Sequence, residues 1–494
     1  MTEAQDEPSR NKVKLVASTG DVAGYPNAST PSEASNGSHD DVLSYFENAQ
    51  WTADGTALLT YSSTNLVSGY IVPEGLLSSA AELTLRPQAR IQLPEPSNVL
   101  SGAPYFSLAE PQTQQLLVSA RDHPLQLFYL APFSTSSSSS PFSTSVASHP
   151  PISSYPFTKA RSETFLTATS LLWSSPGTHF IAGSRSLLGR FDVRRTGEEP
   201  VTRIRTIPSE RHLSKGGGVG MRGTVSALGG QPMDMGSGAS LVAAGTWTRW
   251  VGLYDFAQAG ECVATWSIAA AVRETAANAD EVMDEMGSGG QGGLMDGIGG
   301  DGITQTIWSP CGRYLIICER KSRGALIYDV RETGKLLGYL VGRDALGNQR
   351  VACDVFPGTD GKSGFEVWSG TSGGVAKVWE GVGSVEGPHA PAWEWAAHRS
   401  TIGSACLHPS GTVVATCAGS WEFPDEDDPV DYITTSNRHQ GHRGDSENDD
   451  AINGSDSEMD SSASRGSWMQ RRNKESSLKI WSITDLPSVT EESS

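Results

Sequence analysis

The chain has 494 residues, 54 of them Gly, with 37% hydrophobic residues and a formal charge of −19; that length suits one large domain with insertions or two to three ordinary ones. The apolar share, counted without Gly, is set against the ~45–50% of a typical packed domain counted with Gly, and no apolar run reaches the ~18 residues of a membrane span. The polar start from Met1 to Lys14 has no apolar core, so neither a membrane partner nor a secretory leader is expected. The acidity is local. Thirteen acids face two Arg between Glu422 and Asp460, six acids and no base lie between Glu274 and Asp296, and residues 1–41 hold seven acids against three bases. The rest is near neutral or slightly basic, so the overall charge does not exclude an RNA-facing patch. Six cysteines (Cys262, Cys311, Cys318, Cys353, Cys406 and Cys417) form no CxxC pair, and five fall in strand-like segments. That pattern fits buried reduced thiols of the cytosol or nucleus, where the Asn27-Ala28-Ser29 glycosylation pattern has no meaning.

In chain order one pattern recurs: a strand ending in Trp or an aliphatic, a Ser-Pro-x-Gly-like turn, a second apolar strand, a short turn, and a third strand ending in an aromatic. Gln50–Gly55 leads to Ala57–Tyr61 and Leu66–Ile71; Leu116–Ala120 turns through Arg121–Pro124 into Leu125–Phe128. Leu172–Gly177 leads to His179–Gly183 and Leu187–Val193, and Thr224–Ala227 to Leu241–Gly245 and Val251–Asp255. The clearest unit is Ile307–Gly312, Tyr314–Cys318, Ala325–Asp329. A sixth runs Val351–Phe356, Phe365–Gly370, Val375–Trp379; a seventh starts at Cys406–Gly411, continues through Val413–Ala418 and is completed by Ser477–Trp481.

A group of three strands cannot bury both faces alone, but stacked radially each covers its neighbours. The expected fold is therefore all-β, a seven-bladed WD-repeat β-propeller over residues 41–483. Residues 1–40 and 484–494 are expected as tails, and three insertions are too polar to order themselves: Ser/Pro-rich 131–156, Gly/Asp-rich 272–300 and acidic 422–474. A β-sandwich followed by disorder does not explain the repeated aromatic-Asp ending. The blades are degenerate. Asp122 and His398 stand where polar cross-blade bonds form in well-kept repeats, and packing must hold most of the others.

Several segments, in order, resemble the telomerase Cajal body protein family, WD-repeat proteins that bind small Cajal-body RNAs. They are Ser119–Phe128, Gly245–Tyr254, Val341–Asp344 with Asn348-Gln349-Arg350, Ser369–Val375, and Leu407–Pro409 with Phe423-Pro424 before the acidic insertion. The Ser/Pro and Gly/Asp insertions and the N-terminal region have no counterpart in that pattern. The resemblance implies binding of a small nuclear, guide or telomerase RNA, and association with box H/ACA or, as in more distant fungal-type relatives, spliceosomal proteins. It also implies a nuclear location, in a nuclear body, with room for a cytoplasmic pool.

No catalytic constellation stands out, so no enzyme activity, small-molecule substrate, cofactor or metal is expected. Gly218–Gly223 spells GxGxxG, but it leads into a strand, where a phosphate cradle needs a helix; an inter-blade loop is the better reading. His439 and His442 lack Cys partners for a metal, and His408 before Pro409 reads as a turn histidine. Single-stranded RNA is gripped by cations along phosphates and by planes that stack on bases. Candidates are Arg121, Arg185, Arg190, Trp247, Arg249, Trp250, Arg343 and Arg350, set against the plain alternative of solubilising arginines and a Trp pair packed between blades. Ser446, Ser455 and Ser457 each have an acid three residues on, the pattern that acid-directed kinases accept. The competing function is a purely protein-binding adaptor, spliceosome-associated or a ubiquitin-ligase substrate receptor.

Overall fold

The structure is a computed structural model and describes residues 13–22, 44–130, 150–207, 220–232, 241–269, 298–358, 364–421 and 475–483. Within them the chain forms seven sheets, each of four antiparallel strands running outward from an innermost strand, and two of them add a short parallel edge strand, Leu83–Thr84 or Gly387–His389. Blade 1 is Phe46–Trp51, Ala57–Ser62, Leu66–Ile71 and Ala89–Gln92; blade 2 is Ser97–Gly102, Gln115–Ala120, Leu125–Tyr129 and Ser153–Tyr155. Blade 3 is Ser170–Leu172, His179–Ser184, Leu187–Asp192 and Thr202–Arg205; blade 4 is Val225–Gly230, Leu241–Thr246, Trp250–Asp255 and Glu261–Ser267. Blade 5 is Ile303–Trp308, Tyr314–Glu319, Ser322–Asp329 and Leu336–Ala345; blade 6 is Cys353–Pro357, Phe365–Gly370, Val375–Val382 and Trp393–Ala396. Blade 7 is Ile402–Leu407, Val413–Ala418, Ser477–Ile483 and, from the other end of the chain, Val13–Ser18. The expected seven-bladed β-propeller is what forms.

Alternation along the strands builds the ring. In blade 5, Leu315, Ile317, Leu326 and Tyr328 pack with blade 4, while Ile316, Cys318, Ala325 and Ile327 pack with blade 6. Successive side chains point to opposite faces of a strand, so a strand apolar at every position must be covered twice. Each blade pair has such a filling; Trp368, Trp393, Trp395 and Trp481 occupy the one between blades 6 and 7. Burying one such aliphatic side chain is worth about 1.5–3 kcal/mol.

Polar bonds run around the inner ring in one direction. The hydroxyls of Ser170, Ser226 and Ser404 donate to Val225 O (2.7 Å), Ile303 O (2.5 Å) and Ala49 O (3.1 Å), each on the innermost strand of the next blade. Gln305 does the same from blade 5 to blade 6, its Nε2 donating to Cys353 O at 2.8 Å. The strand-ending Trp of the repeat reaches the other way: Trp308 Nε1 donates to Gly229 O (3.0 Å) and Trp51 Nε1 to Cys406 O (3.0 Å). These bonds satisfy polar groups that the packed ring would otherwise leave buried and unpaired.

Several expected boundaries are corrected. Val13–Ser18 does not belong to a tail: it pairs with Ser477–Ile483 and closes the ring, with Val16 and Ala17 buried. Ser153–Tyr155, placed inside the Ser/Pro insertion, is the outermost strand of blade 2, and Ile298, placed inside the Gly/Asp insertion, is a buried core residue. The remainder of those two insertions, residues 131–149 and 272–297, the acidic insertion 422–474 and the stretch 484–494 lie outside the described residues. Of the cysteines, Cys318, Cys353 and Cys417 are buried and Cys406 half-buried, but Cys262 and Cys311 are exposed. Cys311 lies in the turn between the first two strands of blade 5, and Cys262 is on the outermost strand of blade 4, whose position does not bury its thiol.

Blade 7 carries a polar network built on His398. Trp481 Nε1 donates to Thr416 Oγ1 (2.9 Å), which lies 2.7 Å from His398 Nε2; His398 Nδ1 lies 3.1 Å from Glu475 Oε1 and 3.0 Å from Ser477 Oγ. Burial lowers the His398 pKa, although Glu475 pulls the other way. Burial would raise the Glu475 carboxyl, but bonds from His398, Lys479, Ser477 and the Arg399 amide hold it far below the usual carboxylate range.

Candidate functional site

Every innermost strand runs from the same rim to the other. One face, here the upper, therefore collects the linkers between blades and the turns between second and third strands; the lower face collects the other turns. The candidate residues fall into three groups on this frame.

Arg121, Arg185 and Trp247 stand exposed in second-to-third-strand turns of blades 2, 3 and 4, on the upper face. Arg350, in the linker to blade 6, stands in the central channel: it is solvent-accessible yet surrounded by protein, and its Nη2 donates to Thr169 O before blade 3 at 3.4 Å. Burial lowers its pKa and Glu47 of blade 1 raises it in return; burial raises the Glu47 carboxyl, and Arg350 moderates that rise.

Arg249 is on the upper face but is consumed by the fold. Its guanidinium makes a two-pronged pair with buried Glu319 (2.7 and 3.1 Å), tying the blade 4 turn to blade 5.

Three candidates are placed elsewhere. Arg343 is fully buried, bonded to Val351 O (2.5 Å), Glu319 O (3.2 Å) and Cys353 Sγ (3.3 Å), so its charge serves the interior and is not offered to a ligand. Arg190 lies within the third strand of blade 3 and points to Phe256 O near the lower end of blade 4, at 3.5 Å. Trp250 begins a strand and packs, partly buried, against the filling between blades 3 and 4. Both belong to blade packing. The Trp pair therefore divides: Trp250 packs, while Trp247 is 41% exposed.

The structure adds cations not singled out from sequence. Arg320 lies over the Trp247 ring, 5.9 Å from its centroid. Lys321 beside it, Arg323 and Arg205 are exposed, as are Lys159 and Arg161 in the linker from blade 2 to blade 3. Arg320-Lys321 is a two-residue turn between apolar strands, and its small size hid it. These groups are stitched into one arc. Ser186 N donates to Gly223 O (2.9 Å), Trp247 N to Thr224 O (3.1 Å) and Gly300 N to Glu319 Oε2 (2.9 Å), linking the upper turns of blades 3, 4 and 5. Lys321 is paired with exposed Asp301 at 3.0 Å, a contact worth little in water.

Gly220 to Gly223 of the GxGxxG run leads into strand Val225–Gly230, as expected of a linker; Gly218 and Val219 lie outside the described residues. His408 is a turn residue, its Nδ1 2.7 Å from Ser410 Oγ and its ring edge-on to Trp51. Among the described residues no three His, Cys, Asp or Glu are grouped to hold a metal ion, and no helix is long and apolar enough to cross a membrane. His439, His442, Ser446, Ser455 and Ser457 lie outside the described residues. The lower face has a cleft of about 940 Å³ between blades 5 and 6, lined in part by Tyr314, Phe365 and exposed Val385.

No protein-family profile matches the chain. It is similar to telomerase Cajal body protein 1 of Bos taurus, 23% identical over 406 residues, which are 80% of this chain and 63% of that protein. The Homo sapiens protein of that name is 22% identical over 406 residues, 80% of this chain and 62% of its own length. Guanine nucleotide-binding protein negative regulator 1 of Schizosaccharomyces pombe is 23% identical over 351 residues, 70% of this chain and 73% of that protein. The likeness read from separate motifs thus extends along most of the chain, which matches a little under two thirds of the mammalian proteins' length.

Proposed function

We propose that the chain is a non-enzymatic scaffold that binds a small nuclear, guide or telomerase RNA on its upper face and brings it to box H/ACA or spliceosomal proteins in the nucleus. The observation that carries this reading is Trp247, a large exposed indole beside the Arg320 guanidinium, set within an arc that also holds Arg185, Arg205 and Lys321. An exposed aromatic among cations is what a stacked base and its phosphates require. Stacking is worth about 1–3 kcal/mol per base, so Trp247→Ala is expected to weaken RNA binding by about 5- to 150-fold. The names of the mammalian relatives support telomerase and Cajal-body association for this chain. Phosphorylation of Ser446, Ser455 or Ser457 would add about −1.5 to −2 charge per site and compete with RNA for the cationic arc.

The adaptor reading has its own support in the lower cleft with Val385, 65% exposed. Crosslinking of the chain in cells, with sequencing of bound RNA and mass spectrometry of co-purified proteins, separates the two. A small nuclear, guide or telomerase RNA lost on Trp247→Ala supports the proposal. Proteins captured without RNA, and unaffected by Trp247→Ala, overturn it.

A further inference from the structure

Between blades 5 and 6 the buried Arg343 makes two bonds to backbone carbonyls and one, from Nε, to Cys353 Sγ at 3.3 Å. Among the described residues no carboxylate is within ion-pair distance of it; Glu319 adds attraction from further off, but its carboxylate is taken by Arg249. A fully buried cation requires a nearby anion, and the atom positioned to supply one is the Cys353 sulfur. Cys318 Sγ lies 3.4 Å from Cys353 Sγ, close enough for its S–H to donate to it. The bond from Cys318, and the charge of Arg343 against the cost of burial, draw the Cys353 thiol below its ordinary range and leave Cys318 the protonated partner.

The fold contains its own contrast. Cys417 is buried, and Cys406 is half-buried against the same blade; neither has a bonded guanidinium, and burial raises both thiols. A thiolate is the nucleophile toward oxidants, and an apolar thiol is inert.

We propose that Cys318 and Cys353 are an oxidisable pair, which a peroxide converts to a disulfide joining blade 5 to blade 6. The Cys353 thiolate attacks one oxygen of hydrogen peroxide, the O–O bond breaks and hydroxide leaves, giving a sulfenic acid. The Cys318 sulfur then attacks that sulfur, the S–S bond forms, and the S–O bond breaks with release of water that carries the Cys318 proton. The two sulfurs lose two electrons together and the peroxide gains them. Cys353 is on an innermost strand and is buried, with 4% of the residue accessible, so the reaction is proposed for an oxidant as small as hydrogen peroxide, admitted by local opening between the blades. Oxidation also removes the anion facing Arg343, which holds the linker leading to Arg350 through Val351 O. The upper end of the channel is thereby connected to the redox state of the pair.

The test treats the intact chain with graded hydrogen peroxide, blocks free thiols with N-ethylmaleimide in denaturant, and maps peptides by mass spectrometry without reductant. A Cys318–Cys353 linked peptide is expected to appear, and to disappear with dithiothreitol, at doses that leave Cys406 and Cys417 fully blocked. In Cys318→Ser the sulfenic acid has no resolving partner, so Cys353 is expected to take up a dimedone label. The proposal is overturned if Cys318 and Cys353 both remain blockable after exposed Cys262 and Cys311 have oxidised. A C318S chain that is folded yet unlabelled at Cys353 overturns it equally.

Discussion

Arg343 and Arg350 are seven residues apart, and nothing in their sequence context separates them; the structure buries the first within the last strand of blade 5 and stands the second, in the linker that follows, in the channel. Removing one member of a buried charged pair costs about 3–5 kcal/mol, because the partner stays behind uncompensated. Arg343→Met is therefore expected to lower the urea midpoint strongly, whereas exposed Arg121→Ala should change stability by less than about 0.5 kcal/mol. Equal midpoints for the two variants would contradict the placement. The blade 7 network gives a pH dependence with a definite sign. Glu475 has a folded pKa depressed below its ordinary 4.5, so its contribution is complete above that value and is lost as pH falls toward the folded pKa. His398 is depressed below 6.5, so the folded chain resists its protonation and loses stability as pH falls below 6.5. Both act in the same direction. Thermal melting followed from pH 7 down to pH 4 should show a falling midpoint, with a shallower fall in a His398→Gln, Glu475→Gln double variant; a parallel profile would remove the network from the account.

At the scale of strands, most inner strands were legible because they are apolar on both sides and end in recognisable turns; the innermost strand of blade 2, Ser97–Gly102 (SNVLSG), was not, since only two of its residues are apolar and no Trp or Ser-Pro turn marks its end. Tyr314–Glu319 is expected from its sequence and forms nearly as expected. The fourth strands were not legible. Thr202–Arg205 (TRIR) and Ala89–Gln92 (ARIQ) have one neighbour and one open edge, so half or more of their residues remain polar and no continuous apolar run marks them. Val13–Ser18 was hidden further, since its partner lies more than four hundred residues away and no local periodicity records that pairing. This strand makes a prediction of its own. Deleting residues 1–18 exposes the edge of Ser477–Ile483 and removes buried Val16 and Ala17, a loss of at least about 1.5–3 kcal/mol from Val16 alone. Limited proteolysis should then cut near blade 7 first, and the thermal midpoint should fall. An unchanged digestion pattern would mean that the strand does not close the ring.

For the whole molecule, ring closure decides what the surface can do. A candidate list drawn from turns alone included Arg190 and Trp250, which the blade interfaces absorb, and omitted Arg320 and Lys321, which the ring brings beside Trp247. Convergence of loops on one face followed from the repeat, but which cations face solvent there depends on packing between blades that share no sequence neighbourhood. Arg249 shows this, since its partner Glu319 belongs to the next blade. The upper face carries the central claim, and one titration tests it most directly. Binding of a small nuclear, guide or telomerase RNA to the intact chain, measured by filter retention across a salt series, should saturate and weaken as salt rises, with a log–log slope of about −0.7 per phosphate contacted. An Arg185→Ala, Arg320→Ala, Lys321→Ala chain should lose about one such unit of slope for each phosphate contact removed. Non-saturable binding indifferent to salt, or an unchanged slope in that triple variant, would contradict the account.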